Sequence, residues 1–207
     1  MKSMSAKVRG FTIVELLIVI VVIAIIAAIT ITAYSGFQVR AENAKTVAAV
    51  QAYRKALMQY AIEKGSYPIT GGYCLGHQYP VLDGTTAGCR NSSSVNSVLP
   101  NTSAASLAPL LRPYLGGGDP MPSTKILYNN AGTTGYVGIY FYGTNYGYTL
   151  DTKSVVGLWY TIESTTCPVG PVYAGSTPFT SPGVDRTSAI SSTASLCLLL
   201  LPDASQL

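Results

Sequence analysis

Residues 10–34 read GFTIVELLIVIVVIAIIAAITITAY, and one side chain in that stretch stands apart from the rest. From Leu16 to Ile29 no residue is polar, yet Glu15 sits one turn into the run. A carboxylate in hydrocarbon is costly, so an acid placed there ordinarily has a partner and a role. At about 1.5 Å per residue, a helix from Phe11 to Tyr34 is long enough to cross a hydrocarbon core of about 30 Å. Lys2, Lys7 and Arg9 precede it, which keeps the N-terminus cytoplasmic and sends the remainder outward. A secretory signal peptide has a shorter apolar region, no acid and a small-residue cleavage site. A plain membrane anchor leaves Glu15 without a purpose.

The helical pattern continues past the apolar run. Residues 36–64, GFQVRAENAKTVAAVQAYRKALMQYAIEK, are rich in Ala, Lys, Gln and Leu, all good helix formers. Gly65 suits a left-handed C-cap and Pro68 cannot continue the helix. A single rod from Phe11 to Lys64 would be about 80 Å long. Val47, Val50, Tyr53, Leu57, Tyr60 and Ala61 recur at three- and four-residue spacing, forming an apolar stripe that needs a cover, most simply a sheet. Ala48, Ala52 and Ala56 align on what reads as another face, where small side chains admit a neighbouring helix or simply favour helix. Gly36 marks the join between the two halves.

Composition narrows the function. Only 11% of the 207 residues are charged, which suits a compact extracellular domain with polar, uncharged loops better than a disordered tail. The formal charge of +4 is largely a property of the leader: three of the thirteen Lys and Arg lie there, leaving ten against nine acids. Arg40, Lys45, Arg54, Lys55 and Lys64 are spread around the helix rather than gathered, which argues against nucleic acid as a partner. No CxxC occurs and His77 is the single histidine, so zinc, redox and triad chemistry lack their residues. The acids are scattered and no Gly-rich phosphate loop precedes a helix. The expectation is a protein that is not an enzyme, with no metal and no cofactor.

Cys74, Cys89, Cys167 and Cys197 make an even count in an exported chain, which favours two disulfides. Sequence allows three pairings; the expectation is the local one, Cys74–Cys89 and Cys167–Cys197, because each pair brackets a turn-rich segment. Residues 69–124 read as loop with one short helix around Leu107, Leu110, Leu111 and Leu115. Next come GYVGIYFYG, YGYTLD and SVVGLWYTIES, which predict a three-stranded antiparallel meander turning at residues 143–145 and 151–153. Val137, Ile139 and Phe141, with Val156, Leu158, Tyr160 and Ile162, should face the helix; the tyrosine-rich face is expected to be structural. Residues 170–195 read as a surface loop, and LCLLLLPDASQL as a buried final strand too short for a second membrane span. Asn91 and Asn101 match the glycosylation sequon.

The N-terminal residues also carry a specific resemblance. G-FTIVELLIVIVVIAIIAAI behind a short basic leader resembles the class III signal of type IV pilins and pseudopilins. The resemblance implies an α+β fold: a long N-terminal α-helix, membrane-spanning in its first half, packed on a small antiparallel β-sheet. It implies that a membrane peptidase cuts between Gly10 and Phe11 and methylates Phe11. Glu15 would then pair with the N-terminal amine of the neighbouring subunit during assembly. The implied organisation is a leader (1–10), a transmembrane and assembly half-helix (11–34), an amphipathic half-helix (35–64) and an extracellular β-rich domain (65–207), with Cys167 and Cys197 bounding a C-terminal loop. The implied function is a structural subunit of a pilus filament for surface adhesion or motility. A minor pilin, a secretion or DNA-uptake pseudopilin, and a monomeric membrane-anchored adhesin are the alternatives. The implied partners are other pilin subunits, the prepilin peptidase and the membrane before assembly, with any host or surface ligand left open. Where the family often carries a proline some twenty residues after the cut, this chain has Thr30 and Thr32. Major pseudopilins bind calcium through several nearby acids; Asp119 has no such company, so no calcium site is expected.

Overall fold

A computed structural model describes residues 11–68, 72–77, 79–80, 88–92, 107, 109–130, 134–143, 149–150, 153–154, 156–169, 172–173 and 194–207. One helix, α1, runs over Ile13–Lys64. It ends as its sequence predicts: Gly65 takes φ +74° and its N–H donates to the Ala61 carbonyl at 2.8 Å. The chain divides into two compact units, residues 1–40 and 41–207.

In the first unit every described side chain from Phe11 to Thr30 is exposed. Ile13–Thr30 is long and apolar enough to cross a membrane. Thr30 satisfies its hydroxyl within the helix, donating to the carbonyls of Ile26 and Ala27, each at 3.0 Å. A threonine closed on its own backbone is inexpensive in an apolar medium.

The second unit is helix on sheet. The strands are β1 (Gly72–Leu75), β2 (Arg90–Ser92), β3 (Leu127–Asn130), β4 (Thr134–Val137), β5 (Ile139–Tyr142), β6 (Thr149–Leu150), β7 (Lys153–Ser154), β8 (Gly157–Glu163), β9 (Val172–Tyr173) and β10 (Ala194–Leu200). The main sheet has the order β1-β5-β8-β10-β9, with every pairing antiparallel. A smaller sheet has the order β2-β4-β3, and β6 pairs with β7. The C-terminal segment is the buried strand expected of it, running in register along β8 from Ala194 opposite Glu163 to Leu200 opposite Gly157.

Alternation along β5 and β8 sorts their side chains between two clusters. Ile139, Phe141, Leu158, Tyr160 and Ile162 join Val50, Tyr53, Leu57, Cys197 and Leu199 in the core under α1. Tyr140, Tyr142, Trp159, Leu196 and Leu198 form a second cluster with Tyr79 and both cysteines of the first disulfide. The aromatic face is therefore structural. Ala56 is a correction: it is fully buried in the main core, while Ala48 is exposed, so the alanine row winds off the surface. A row of i, i+4 residues drifts around a helix of 3.6 residues per turn, and here that drift carries it under the sheet.

The three-strand meander is also corrected. GYVGIYFYG is split at Gly138, whose φ of +68° breaks the extended run. Its first part goes to the small sheet as β4 and its second to the main sheet as β5. Val137 accordingly packs in the second cluster and not against the helix. Thr149–Leu150 turns back on Lys153–Ser154 as a separate ladder, and β5 pairs directly with β8. The turn expected at residues 143–145 and most of the loop at 170–195 lie outside the described residues. Two short strands, β1 and β2, fall in the region read as loop. Leu107 and Leu111 are buried as expected, whereas Leu110 is exposed.

Candidate assembly site

The start of α1 is built as a reciprocal cap. The Glu15 carboxylate accepts from the Thr12 backbone N–H at 2.9 Å and from the Thr12 hydroxyl at 2.8 Å. The Glu15 backbone N–H in turn donates to Thr12 Oγ1 at 3.2 Å. The first N–H groups of a helix have no partner inside it, and a Ser or Thr followed three residues later by Glu satisfies them mutually. Sequence reasoning missed Thr12, although the Thr-x-x-Glu spacing before an apolar run was the available signal. The negative side chain also lies at the positive end of the helix dipole.

The arrangement holds a carboxylate at the end of a helical stretch, Leu16–Ile29, that has no polar side chain. Phe11 and Ile13 are 81% and 85% exposed, so no other described residue covers them. Glu15 is the single charged residue between Phe11 and Val39. Gly10 lies outside the described residues. Such an end can insert in a lipid bilayer, and it can pack against other apolar helices with one charge available for an opposite charge.

Behind this end, a polar clasp fastens α1 to its own domain. Asn43 exchanges two hydrogen bonds with the backbone of Glu163, each 2.9 Å. Thr46, fully buried, accepts from the Ser123 N–H at 3.0 Å, and Glu42 pairs with Lys125 at 2.6 Å. The Lys125 ammonium holds the Glu42 carboxyl below the usual range. The apolar stripe gave no hint of this clasp.

The cysteine sulfurs are bonded as two pairs. Cys74 and Cys89 have Cα atoms 5.5 Å apart, and Cys167 and Cys197 have theirs 5.8 Å apart. The second pair ties the segment after β8 to β10. The Tyr160 hydroxyl secures the same segment by donating to the Val169 carbonyl and accepting from its N–H at 3.2 Å. Burial pushes the Tyr160 phenol up to about 12, so it stays a donor at neutral pH. Among the described residues no cluster of three or more His, Cys, Asp or Glu is arranged to hold a metal.

Comparison with known proteins bears on the same end of the chain. Residues 5–31 match the prokaryotic N-terminal methylation motif. The chain is 30% identical to the type IV major pilin protein PilE of Neisseria gonorrhoeae over 87 residues, 42% of this chain and 44% of that one. It is 32% identical over 60 residues to a fimbrial protein of Neisseria meningitidis serogroup B, covering 29% of this chain and 35% of that one. It is 34% identical over 64 residues to type II secretion system core protein G of Escherichia coli, covering 31% of this chain and 44% of that one. The chain thus spans less than half the length of each of these curated relatives. No solved structure matches. The methylation motif, running into an apolar helix that leads to a helix-on-sheet unit, makes the N-terminal part of this chain similar to type IV pilins and to a type II secretion core protein.

Proposed function

We propose that the chain is a prepilin, cut between Gly10 and Phe11, methylated on Phe11, and polymerised through the exposed first half of α1 into a surface pilus. The observation that carries this reading is Glu15: one carboxylate, fixed by Thr12 at the tip of the apolar first stretch of α1. Cutting before Phe11 creates an ammonium at the positive end of the helix dipole, an unfavourable position that an acid relieves. In a medium of low dielectric, an unpaired charge of either sign is costly, and pairing them in trans favours a packed bundle over dispersed monomers. The Thr12 cap keeps the carboxylate at the level where the neighbour's amine would arrive. Before assembly the chain would span the cytoplasmic membrane once; the prepilin peptidase and other pilin subunits would be its partners.

A second reading has a specific support. The match to a type II secretion core protein is similar in extent to the pilin matches, and a pseudopilin would use the same processed end. N-terminal mass spectrometry, followed by imaging of sheared surface filaments, tests the proposal. A mature chain starting at N-methyl-Phe11 and traced within filaments supports it. An intact Met1 points instead to a monomeric anchor, and processed protein absent from filaments but required for protein export points to a pseudopilin.

A further inference from the structure

The last turns of α1 face the 3-10 turn Arg112–Tyr114 across a groove of about 550 Å³. Lys55, Gln59, Ile62 and Glu63 supply one wall, spaced i, i+4, i+7 and i+8 so that they share a helix face. Pro113, Tyr114 and Gly116 supply the other. We infer that this groove is a binding site for a neutral saccharide, with the Tyr114 ring as its platform and Lys55, Gln59 and Glu63 as its polar contacts.

Three observations carry the inference. The platform is held in place: the Tyr114 hydroxyl donates to Glu63 at 2.5 Å, and its ring meets Tyr60 edge-on at 5.9 Å. Tyr60, Tyr114 and Leu115 pack on the main core, so the walls rest on rigid structure. The polar groups are mixed: the Lys55 cation, the Glu63 carboxylate already paired with Lys64 at 2.7 Å, and the Gln59 amide, which both donates and accepts. Such a set suits the hydroxyls of an uncharged sugar; a phosphate or nucleic acid needs an excess of cations. The apolar parts, Ile62 at 61% exposed and Pro113, offer surface to the C–H face of a sugar ring. The mouth is kept clear as well. Gly116, which lines it, has φ of +67°, with nothing within 4 Å of where a Cβ would stand. The volume lies within the range of small-ligand sites.

The inference concerns the domain alone and stands whether or not the chain polymerises. Full-length protein in lauryldimethylamine oxide, a detergent without a sugar headgroup, is applied to an array of neutral, sialylated and sulfated oligosaccharides. Hits are repeated by saturation-transfer NMR with free lactose and N-acetyllactosamine. The expected result is binding to neutral glycans. Gln59→Ala and Lys55→Ala, on an exposed helix face where alanine keeps the fold, should each weaken it about fivefold to tenfold. Gly116→Asp, which adds a side chain to the lining, should weaken it too. The inference is overturned if no neutral glycan binds, if binding is confined to sulfated or sialylated glycans, or if the variants bind like the unaltered chain. Filament yield that falls in these variants while glycan binding holds assigns the groove to a second copy of the chain, and overturns it equally.

Discussion

Asn43 on the helix and Glu163 at the end of β8 are joined backbone to side chain in both directions, 2.9 Å each way. The amide takes the place a further strand residue would occupy, satisfying an N–H and a carbonyl at once. Asn43→Ala should therefore cost about 2 kcal/mol, a fall in Tm of roughly 4–8 °C for a chain of this size. Asn43→Asp keeps the acceptor and loses the donor, and should fall between the two. Thermal unfolding followed by near-ultraviolet circular dichroism measures both.

Gly138 makes the junction between the two sheets. Its N–H donates to Thr161 Oγ1 at 3.0 Å, and a Cβ there would stand 2.5 Å from the Tyr79 ring. Tyr79 cannot yield easily, because its hydroxyl is engaged with Leu75 and with both backbone groups of Ile139. Gly138→Ala adds a left-handed penalty to a steric one and should destabilise by about 3 kcal/mol. Denaturant titration with unchanged slope checks this.

These two residues show where sequence reading reached its limit. Periodicity located α1 and placed Val50, Tyr53, Leu57 and Ala61 among the buried residues, because burial of apolar side chains is what generates the period. Gly65 and Pro68 marked the helix end for reasons of backbone geometry alone. Glu15 was legible because a charge in an apolar run is rare. Asn43, Thr46 and Thr161 were not, since a polar residue looks the same in sequence whether it meets water or a strand 120 residues away. Gly138 was read as one position of a strand, because its positive φ is dictated by contacts distant in the chain. The short strands β1 and β2 are defined by their partners rather than by their own composition.

The Glu42–Lys125 pair predicts an acid dependence. Because Lys125 depresses the folded-state pKa of Glu42, the pair's contribution is complete above the unfolded value, about 4.3. It disappears as pH falls through the lower, folded value. Tm measured from pH 7 to pH 3 should fall less steeply below about pH 4.3 for Glu42→Gln than for the unaltered chain. Near neutrality the variant should be slightly less stable, and the two curves should converge at the acid end.

The disulfides should differ in weight. Cys167–Cys197 closes a separation of 30 residues and Cys74–Cys89 one of 15, a doubling worth about 0.6 kcal/mol in loop-closure terms. Replacing Cys167 and Cys197 by serine or alanine also frees β10 from the segment after β8. Each double variant should lose about 2–5 kcal/mol, with the Cys167/Cys197 variant the weaker in urea.

The account rests on Glu15 as the charge that draws one processed chain to the next. The direct measurement is the fraction of processed protein recovered in sheared surface filaments for Glu15→Leu beside the unaltered chain. The account predicts a variant that is inserted and begins at N-methyl-Phe11, yet is depleted at least about tenfold from filaments, the factor expected for losing one strong pairing. Filaments carrying Glu15→Leu at the unaltered level would contradict it.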